Sequence, residues 1–125
     1  MIAALQRALR EFNAGRFFEC HEVLEELLET TERDDWNFIL GLIQVAVGYH
    51  KLTQQYAGGE KLLAMGVAKL AGYDDTHRGV DVGSLRRAVH ADLARRAAAQ
   101  ARGETPGSPS PPRLLPAQRG SRARP

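Results

Sequence analysis

The stretch of residues 35–55 constrains the fold more than any other part of the sequence, because it is apolar on nearly every side over residues 36–47. A helix with this pattern is buried on most of its sides, so the rest of the chain must pack around it. Gly41 and Gly48 each cost this helix roughly 1 kcal/mol relative to alanine, and their spacing of seven residues puts them on one side. The pair therefore predicts a close crossing with another helix.

Apolar residues at helical spacing predict four further helices. Short connections separate most of them, and short connections favour antiparallel neighbours. Residues 73–82, between the last two helices, are polar and rich in turn formers. We therefore predict an all-α fold, a small bundle of about five helices with antiparallel neighbours. The predicted helices cover about residues 2–13, 16–30, 35–55, 60–70 and 84–102.

The composition is that of an ordinary globular domain. Of the 125 residues, 43% are hydrophobic and 26% are charged, and no run approaches the roughly 20 apolar residues that a membrane span requires. The first residues lack the basic start, apolar middle and small-residue cleavage site of an export signal, so we expect a cytoplasmic protein without membrane contact. The single cysteine, Cys20, excludes an internal disulfide and is expected to pack as a small apolar side chain.

The last part of the chain differs in composition from the rest. Residues 103–125 hold all six prolines, with glycine, serine and four arginines against one acid, and residues 1–102 hold thirteen basic and fourteen acidic residues. Such a tail buries too little apolar surface to offset its ordering entropy. We predict a helical bundle over residues 1–102 and a disordered tail over residues 103–125. Because the basic excess lies in that tail, the charge argues against nucleic-acid binding.

Polar residues with potential for chemistry lie in the second and third predicted helices. His21 and Glu25 are four residues apart, so their Cβ atoms lie about 5 to 6 Å from each other on one ridge. Gln44 interrupts the apolar third helix, and a buried amide without partners costs on the order of 1 to 3 kcal/mol. We therefore predict that Gln44 bonds to the His21–Glu25 pair and that the three residues form a buried polar cluster or a binding site.

The sequence leaves three interpretations of this cluster open. In the first interpretation the cluster is structural, since a satisfied polar network fixes the register of two helices. In the second, which we favour, the domain is a binding or scaffold module. It would hold a small ligand or a protein partner in the groove between the second and third helices. The alternative is a metal-dependent or acid/base hydrolase centred on the His–Glu pair, since a carboxylate orients an imidazole for proton transfer.

A zinc site is poorly supported by the ligand count. The zinc motif HExxH has two histidines one turn apart, whereas the segment HEVLE has Glu25 at the second position. His50 is the nearest further histidine in the next helix. We therefore predict no metal ligand, no cofactor and no catalytic residue. Four further side chains are expected in simple structural roles, with Phe17 and Phe18 in core and edge packing and His77 and His90 in solvent.

Two segments together resemble a known family. NAGRFFECHEVLEELL, followed by FILGLIQVAVGYHKL and a glycine-led fourth helix, is similar to the small all-helical bacterial family called domain of unknown function 309, over about residues 5 to 92. The family pattern has a histidine, a glutamate four residues later and a tryptophan three further on, which correspond here to His21, Glu25 and Leu28. The resemblance implies a helical bundle with a polar site and implies no particular reaction.

Overall fold

The computed structural model describes residues 1–114 and residue 116. It contains five helices and one two-stranded hairpin, and the predicted all-α bundle is confirmed. The long third helix is central, with the second and fourth helices packed against it and the first helix packed against the second. None of the described helices is long and apolar enough to cross a membrane. The elements are α1 (Ile2–Asn13), α2 (Phe17–Leu28), α3 (Arg33–Thr53), α4 (Gly59–Leu70), β1 (Thr76–His77), β2 (Val80–Asp81) and α5 (Val82–Ala101).

The junction of α1 and α2 is built around aromatic packing. Gly15 takes a φ of +79°, and the amides of Gly15 and Arg16 bond back to the carbonyls of Phe12 and Glu11. This is the bonding pattern that closes a helix C-terminus around a left-handed residue. The sharp reversal brings the rings of Phe12 and Phe17 to within 5.0 Å, edge to face. Both rings also contact the buried Tyr49 of α3.

The predicted close crossing is confirmed, and the partner helix is α4. A Cβ atom built on Gly41 would lie 3.0 Å from the carbonyl oxygen of Gly66, and one built on Gly48 would lie 3.1 Å from that of Gly59. Each of the two helices therefore contributes two glycines that let the backbones touch. Such contact gains dispersion energy from backbone atoms on both sides, which offsets the low helix propensity of glycine.

Residues 76–81 form a small hairpin within the segment 73–82, where only polar turns were predicted. Arg78 and Gly79 both have positive φ, +50° and +76°, as a two-residue type I′ turn requires. The strands pair Thr76 with Asp81 and His77 with Val80. Two strands of two residues are too short to produce an alternating pattern, which explains why the sequence did not indicate them.

His77 is held by a buried carboxylate, so the prediction that it is solvated is wrong. Its Nε2 donates to Asp35 Oδ1 over 2.6 Å, and Arg78 donates from Nε and Nη2 to the other carboxylate oxygen over 2.9 and 2.6 Å. Asp35 is only 3% exposed. The pairing fixes the hairpin onto the first turn of α3. His90 is exposed, as predicted.

Part of the predicted tail lies against the bundle. Residues 104–114 contain neither helix nor strand, yet the Leu114 side chain is buried in the core. The Asn13 side chain donates to the Leu114 carbonyl over 3.1 Å and accepts from its amide over 2.6 Å. Residue 116 forms an isolated bridge with Val80. The predicted disorder of residues 103–125 stays a prediction, and residues 115 and 117–125 lie outside the described part of the chain.

Replacing Asn13 with alanine is expected to lower the free energy of unfolding by about 1 to 2 kcal/mol, because two hydrogen bonds are lost. The tail should also separate more often from α1, so trypsin should cut faster after Arg113. Urea unfolding and timed proteolysis measure the two effects. An unchanged cleavage rate would show that Asn13 does not hold the tail in place.

Candidate functional site

His21 lies on the outer ridge of α2. Its Nδ1 lies 3.0 Å from the carbonyl oxygen of Phe18, and its Nε2 lies 3.2 Å from Glu25 Oε1. Because a carbonyl only accepts, the tautomer that satisfies Phe18 carries its hydrogen on Nδ1. Nε2 then donates to Glu25 only when the ring is doubly protonated. The predicted contact between His21 and Glu25 is present in the structure.

Of the three predicted site residues, the structure brings two together. The Glu25 side chain is 59% exposed and the His21 side chain 16%, so the pair lies at the edge of the bundle, with Glu25 in solvent and His21 largely covered. The Oε1 atom of Gln44 is buried, and among the described residues it has no hydrogen-bond partner. None of the hydrogen bonds within this part of the chain joins Gln44 to His21 or Glu25.

Replacing Glu25 with glutamine is expected to change the free energy of unfolding by less than about 0.5 kcal/mol, because ion pairs in contact with water contribute little. Chemical denaturation of the two proteins in parallel measures the difference. A loss of several kcal/mol would contradict the surface placement of the pair and would support a structural polar cluster.

Beside this pair, α2, α3 and the turn after α3 enclose a small hollow, which we call the α2–α3 pocket. Its volume is about 220 Å³. Two large aromatic side chains at its edges are open to solvent, Phe18 at 47% and Tyr56 at 57%. The ring of His50 lies between them, 5.5 Å from the Phe18 ring and 6.1 Å from the Tyr56 ring. The lining residues are Phe18, His21, Val47, His50, Lys51 and Tyr56.

The end of α3 positions Tyr56 over the pocket. Gln55 takes a φ of +60°. The amide of Tyr56 donates to the carbonyl of Lys51 over 2.7 Å, and the amide of Gln55 donates to the carbonyl of Leu52. These two bonds close the helix with a left-handed residue at its end. The chain therefore turns back, and the Tyr56 ring packs edge to face on His50.

Sequence reasoning missed most of this pocket. Phe18 was expected to pack at an edge of the core, and His50 was considered only as a distant metal ligand. The available signal was that Phe18 and His21 are three residues apart on one ridge, and that Val47, His50 and Lys51 share a ridge in the next helix. That these two ridges lie side by side follows only from the antiparallel packing of α2 against α3, which the sequence does not give in detail.

Charge is unevenly distributed around the pocket. His50 and Lys51 lie in the last turn of α3, where a positive charge interacts favourably with the helix dipole. Lys51 forms no ion pair within residues 1–114 and 116. Along α2 the acidic residues Glu22, Glu25 and Glu29 are exposed, and Glu25 contacts His21 at the edge of the pocket. The α3 side of the pocket is therefore basic and the α2 side is acidic.

The chemical groups near the pocket do not include a metal centre or a reactive thiol. No group of three or more histidine, cysteine, aspartate and glutamate side chains in the described chain is arranged to hold a metal ion. Cys20 is fully buried, as predicted. Burial, followed by the nearby negative charge of Glu11, raises the pKa of its thiol to about 12, and a thiol of that pKa is a poor nucleophile at neutral pH.

Two comparisons with known proteins cover this region. Residues 5–63 match the model of a family described as Domain of unknown function (DUF309). The uncharacterized protein YpuF of Bacillus subtilis (strain 168) is 40% identical over 76 residues, which make up 58% of this chain and 42% of YpuF. The chain thus spans less than half of the length of that relative.

The matched family segment covers most of α1, all of α2 and α3, and the beginning of α4. It is shorter than the resemblance predicted from the sequence, which extended to about residue 92. All six residues that line the α2–α3 pocket fall within it. The predicted resemblance to this family is thus confirmed over residues 5–63.

Proposed function

We propose that this domain is a partner-binding module, and that the α2–α3 pocket receives one large apolar side chain of a partner polypeptide. The observation that carries the proposal is the pair of solvent-open aromatic rings, Phe18 and Tyr56, on either side of an apolar hollow. Aromatic side chains bury a large area at low entropic cost and dominate binding energies where they are exposed at interfaces.

The size of the pocket favours a side chain over a free organic ligand. Pockets for drug-sized ligands generally enclose about 300 to 1,000 Å³, and the α2–α3 pocket encloses about 220 Å³. This volume suits a single tryptophan, phenylalanine or leucine side chain. Five of the six lining residues lie on the helices α2 and α3, and Tyr56 lies in the turn after α3.

The charge at the pocket specifies the partner further. Lys51 and His50 place positive charge or hydrogen-bond donors beside the apolar wall formed by Val47. A carboxylate next to the inserted side chain would pair with Lys51, which has no ion pair within the described residues. The partner is therefore a segment in which an aromatic or large aliphatic residue stands beside aspartate or glutamate.

The test is a binding titration in which fluorescence anisotropy reports the bound fraction of a peptide. The probe is a fluorescein-labelled peptide with a central tryptophan flanked by glutamates. Phe18→Ala should weaken binding about tenfold or more, because truncating an aromatic wall of a binding pocket commonly costs more than about 1.4 kcal/mol. Lys51→Glu should also weaken it, through repulsion of the flanking carboxylates.

Met65→Ala is the matched control. Met65 is an exposed apolar residue on α4 and lies outside the pocket, so its loss should leave the affinity unchanged. Failure of the peptide to bind, or equal binding by the Phe18→Ala variant and the parent protein, would contradict the proposed function.

A further inference from the structure

The last described residues of the tail are held as a bound peptide would be. The Asn13 side chain pairs with both backbone groups of Leu114, since it donates to the carbonyl over 3.1 Å and accepts from the amide over 2.6 Å. The Leu114 side chain is 2% exposed and lies in the core. Two residues on, Pro116 forms an antiparallel bridge with Val80 of the hairpin. Main-chain pairing together with one inserted side chain is how extended peptides are recognised by strand addition.

An apolar groove continues from this segment along α1, and we call it the α1 groove. It lies between α1 and the hairpin, and its volume is about 360 Å³. Met1 and Ile2 at its far end are 41% and 69% exposed. The tail passes Asn13 at the C-terminal end of α1 and then Pro116, which lines the groove. The tail is therefore directed along the groove toward the N-terminal end of α1.

The position of the groove indicates which side chain it would take. In an extended segment every second side chain points to the same face, so the residue four after the leucine shares the face of the leucine and lies about 13 Å from it. Leu5, which lines the groove, lies about 12 Å from Asn13 along α1. The groove is thus placed to receive the side chain four residues after the leucine, and its apolar lining favours a large apolar one.

The tail of the chain does not provide such a side chain. Gln118 stands four residues after Leu114, and residues 117–125 contain no valine, leucine, isoleucine, methionine or aromatic residue. The connection to α5, residues 104–113, contains neither helix nor strand. The tail therefore supplies the leucine of the bound segment without the second apolar group, so a segment that has both would make contacts that the tail cannot.

We infer that Asn13 and the α1 groove form a second peptide site, whose ligand is an extended segment of another protein with a leucine and a large apolar residue four positions later. The tail of the chain occupies the leucine part of this site and competes with that ligand. A short flexible tether gives the tail an effective concentration on the order of 1 mM, so the second apolar residue is what lets the ligand displace it. Among the described residues, none lines both this groove and the α2–α3 pocket, and the inference stands apart from the proposed function.

The first test adds the missing side chain to the tail itself. Gln118→Phe in the full chain should slow the cleavage by trypsin after Arg113 about tenfold, because burying an aromatic side chain shifts an equilibrium by at least that factor. Ala117→Phe is the matched control, since the residue three after the leucine points to the opposite face of an extended segment, and it should leave the rate unchanged. Ile2→Glu should cancel the effect of Gln118→Phe, because it places a charge at the groove.

Mass spectrometry of the fragment that ends at Arg113 gives the cleavage rate. Equal rates for the two phenylalanine variants, or for Gln118→Phe and the parent protein, would overturn the inference. Protection that increases with protein concentration would also overturn it, because the tail would then bind to a second copy and would not compete within its own chain.

The second test measures binding of a separate peptide by fluorescence anisotropy. The probe is fluorescein-labelled PPRLLPAFR, which has the sequence of residues 111–119 with Gln118→Phe. Leu114→Ala in the full chain removes the leucine of the internal competitor, so this variant should bind the probe about tenfold or more tightly than the parent protein does. The unchanged peptide PPRLLPAQR should bind the variant about tenfold more weakly than the probe.

The outcomes of this titration separate the parts of the inference. Equal affinity of the parent protein and Leu114→Ala for the probe would overturn competition by the tail. Equal affinity of the two peptides, or no binding of the probe, would overturn the role of the groove. Circular dichroism checks that Leu114→Ala is folded. The cleavage test keeps Leu114 in place, so it decides the inference even if the Leu114→Ala variant does not fold.

Discussion

Replacing Gly66 with alanine is expected to lower the free energy of unfolding by about 2 to 4 kcal/mol, a range typical of overpacked cores and steric conflict. A Cβ atom at this position would lie 2.8 Å from the carbonyl oxygen of Gly41 and 3.1 Å from the amide nitrogen of Val45. Both are backbone atoms of α3, so rotation of a side chain cannot relieve the conflict. The two helices must separate, and the contacts along their crossing weaken together.

Urea unfolding followed by circular dichroism measures this effect, with Gly107→Ala as the control. A Cβ atom on Gly107 meets none of the described residues within 4 Å, so that variant should stay within about 0.5 kcal/mol of the parent protein, as is usual for surface substitutions. If the Gly66→Ala variant were as stable as the control, the close approach of α3 and α4 would be contradicted.

The second large effect is expected at Asp35. Asp35→Asn should lower the free energy of unfolding by about 2 to 3 kcal/mol, because hydrogen bonds to a charged group contribute about 1.5 to 3 kcal/mol. The amide that replaces the carboxylate can no longer accept at both ends from His77 and Arg78. The hairpin should then separate from the first turn of α3. Asp34→Asn is the matched control, since the Asp34 residue is exposed and its contact with Tyr73 uses the backbone carbonyl.

The pH dependence of stability provides an independent check on Asp35. Burial raises the pKa of this carboxyl, but hydrogen bonds and positive charge from Arg78 and His77 outweigh burial and hold the pKa below its ordinary value of 3.8. Ionised Asp35 therefore stabilises the fold above the unfolded pKa, and this contribution is lost as the pH falls toward the folded pKa. The difference in stability between the parent protein and Asp35→Asn should shrink below about pH 4. A constant difference would contradict the ion pairing.

Helical periodicity carries most of the information about the fold. The five helices and their approximate bounds were predicted, because each helix has a clear apolar side and a glycine or polar break. Gly41 and Gly48 also predicted the close helix crossing at which they lie. Two glycines on one side of a buried helix have few explanations other than close contact with a neighbouring backbone.

The hairpin and the tail contact depend on pairs that are distant in sequence. Asp35 is 42 residues from His77, and Asn13 is 101 residues from Leu114. Neither pair is part of a periodic pattern. A leucine among prolines and arginines cannot be distinguished from an exposed residue unless its partner is known, so composition alone indicated a free tail.

At the candidate site, too, contacts within one helix were predicted and contacts between helices were not. Contacts within one helix, such as that of His21 with Glu25, follow from spacing and were predicted. Contacts between helices depend on the rotation of α2 against α3. That rotation places Phe18 beside His50 and leaves the Oε1 atom of Gln44 without the predicted bond. The α2–α3 pocket lies between the two helices, but His21 alone of the three predicted site residues is among its lining residues, and its aromatic edges were not foreseen.

Nuclear magnetic resonance mapping shows most directly whether the peptide binds in the α2–α3 pocket. The tryptophan–glutamate peptide would be titrated into ¹⁵N-labelled protein. We expect the largest chemical-shift changes on residues 18–21, 47–51 and 56. Changes centred on the groove beside Ile2 and Leu9, or no changes at all, would contradict the assignment of the α2–α3 pocket as the binding site.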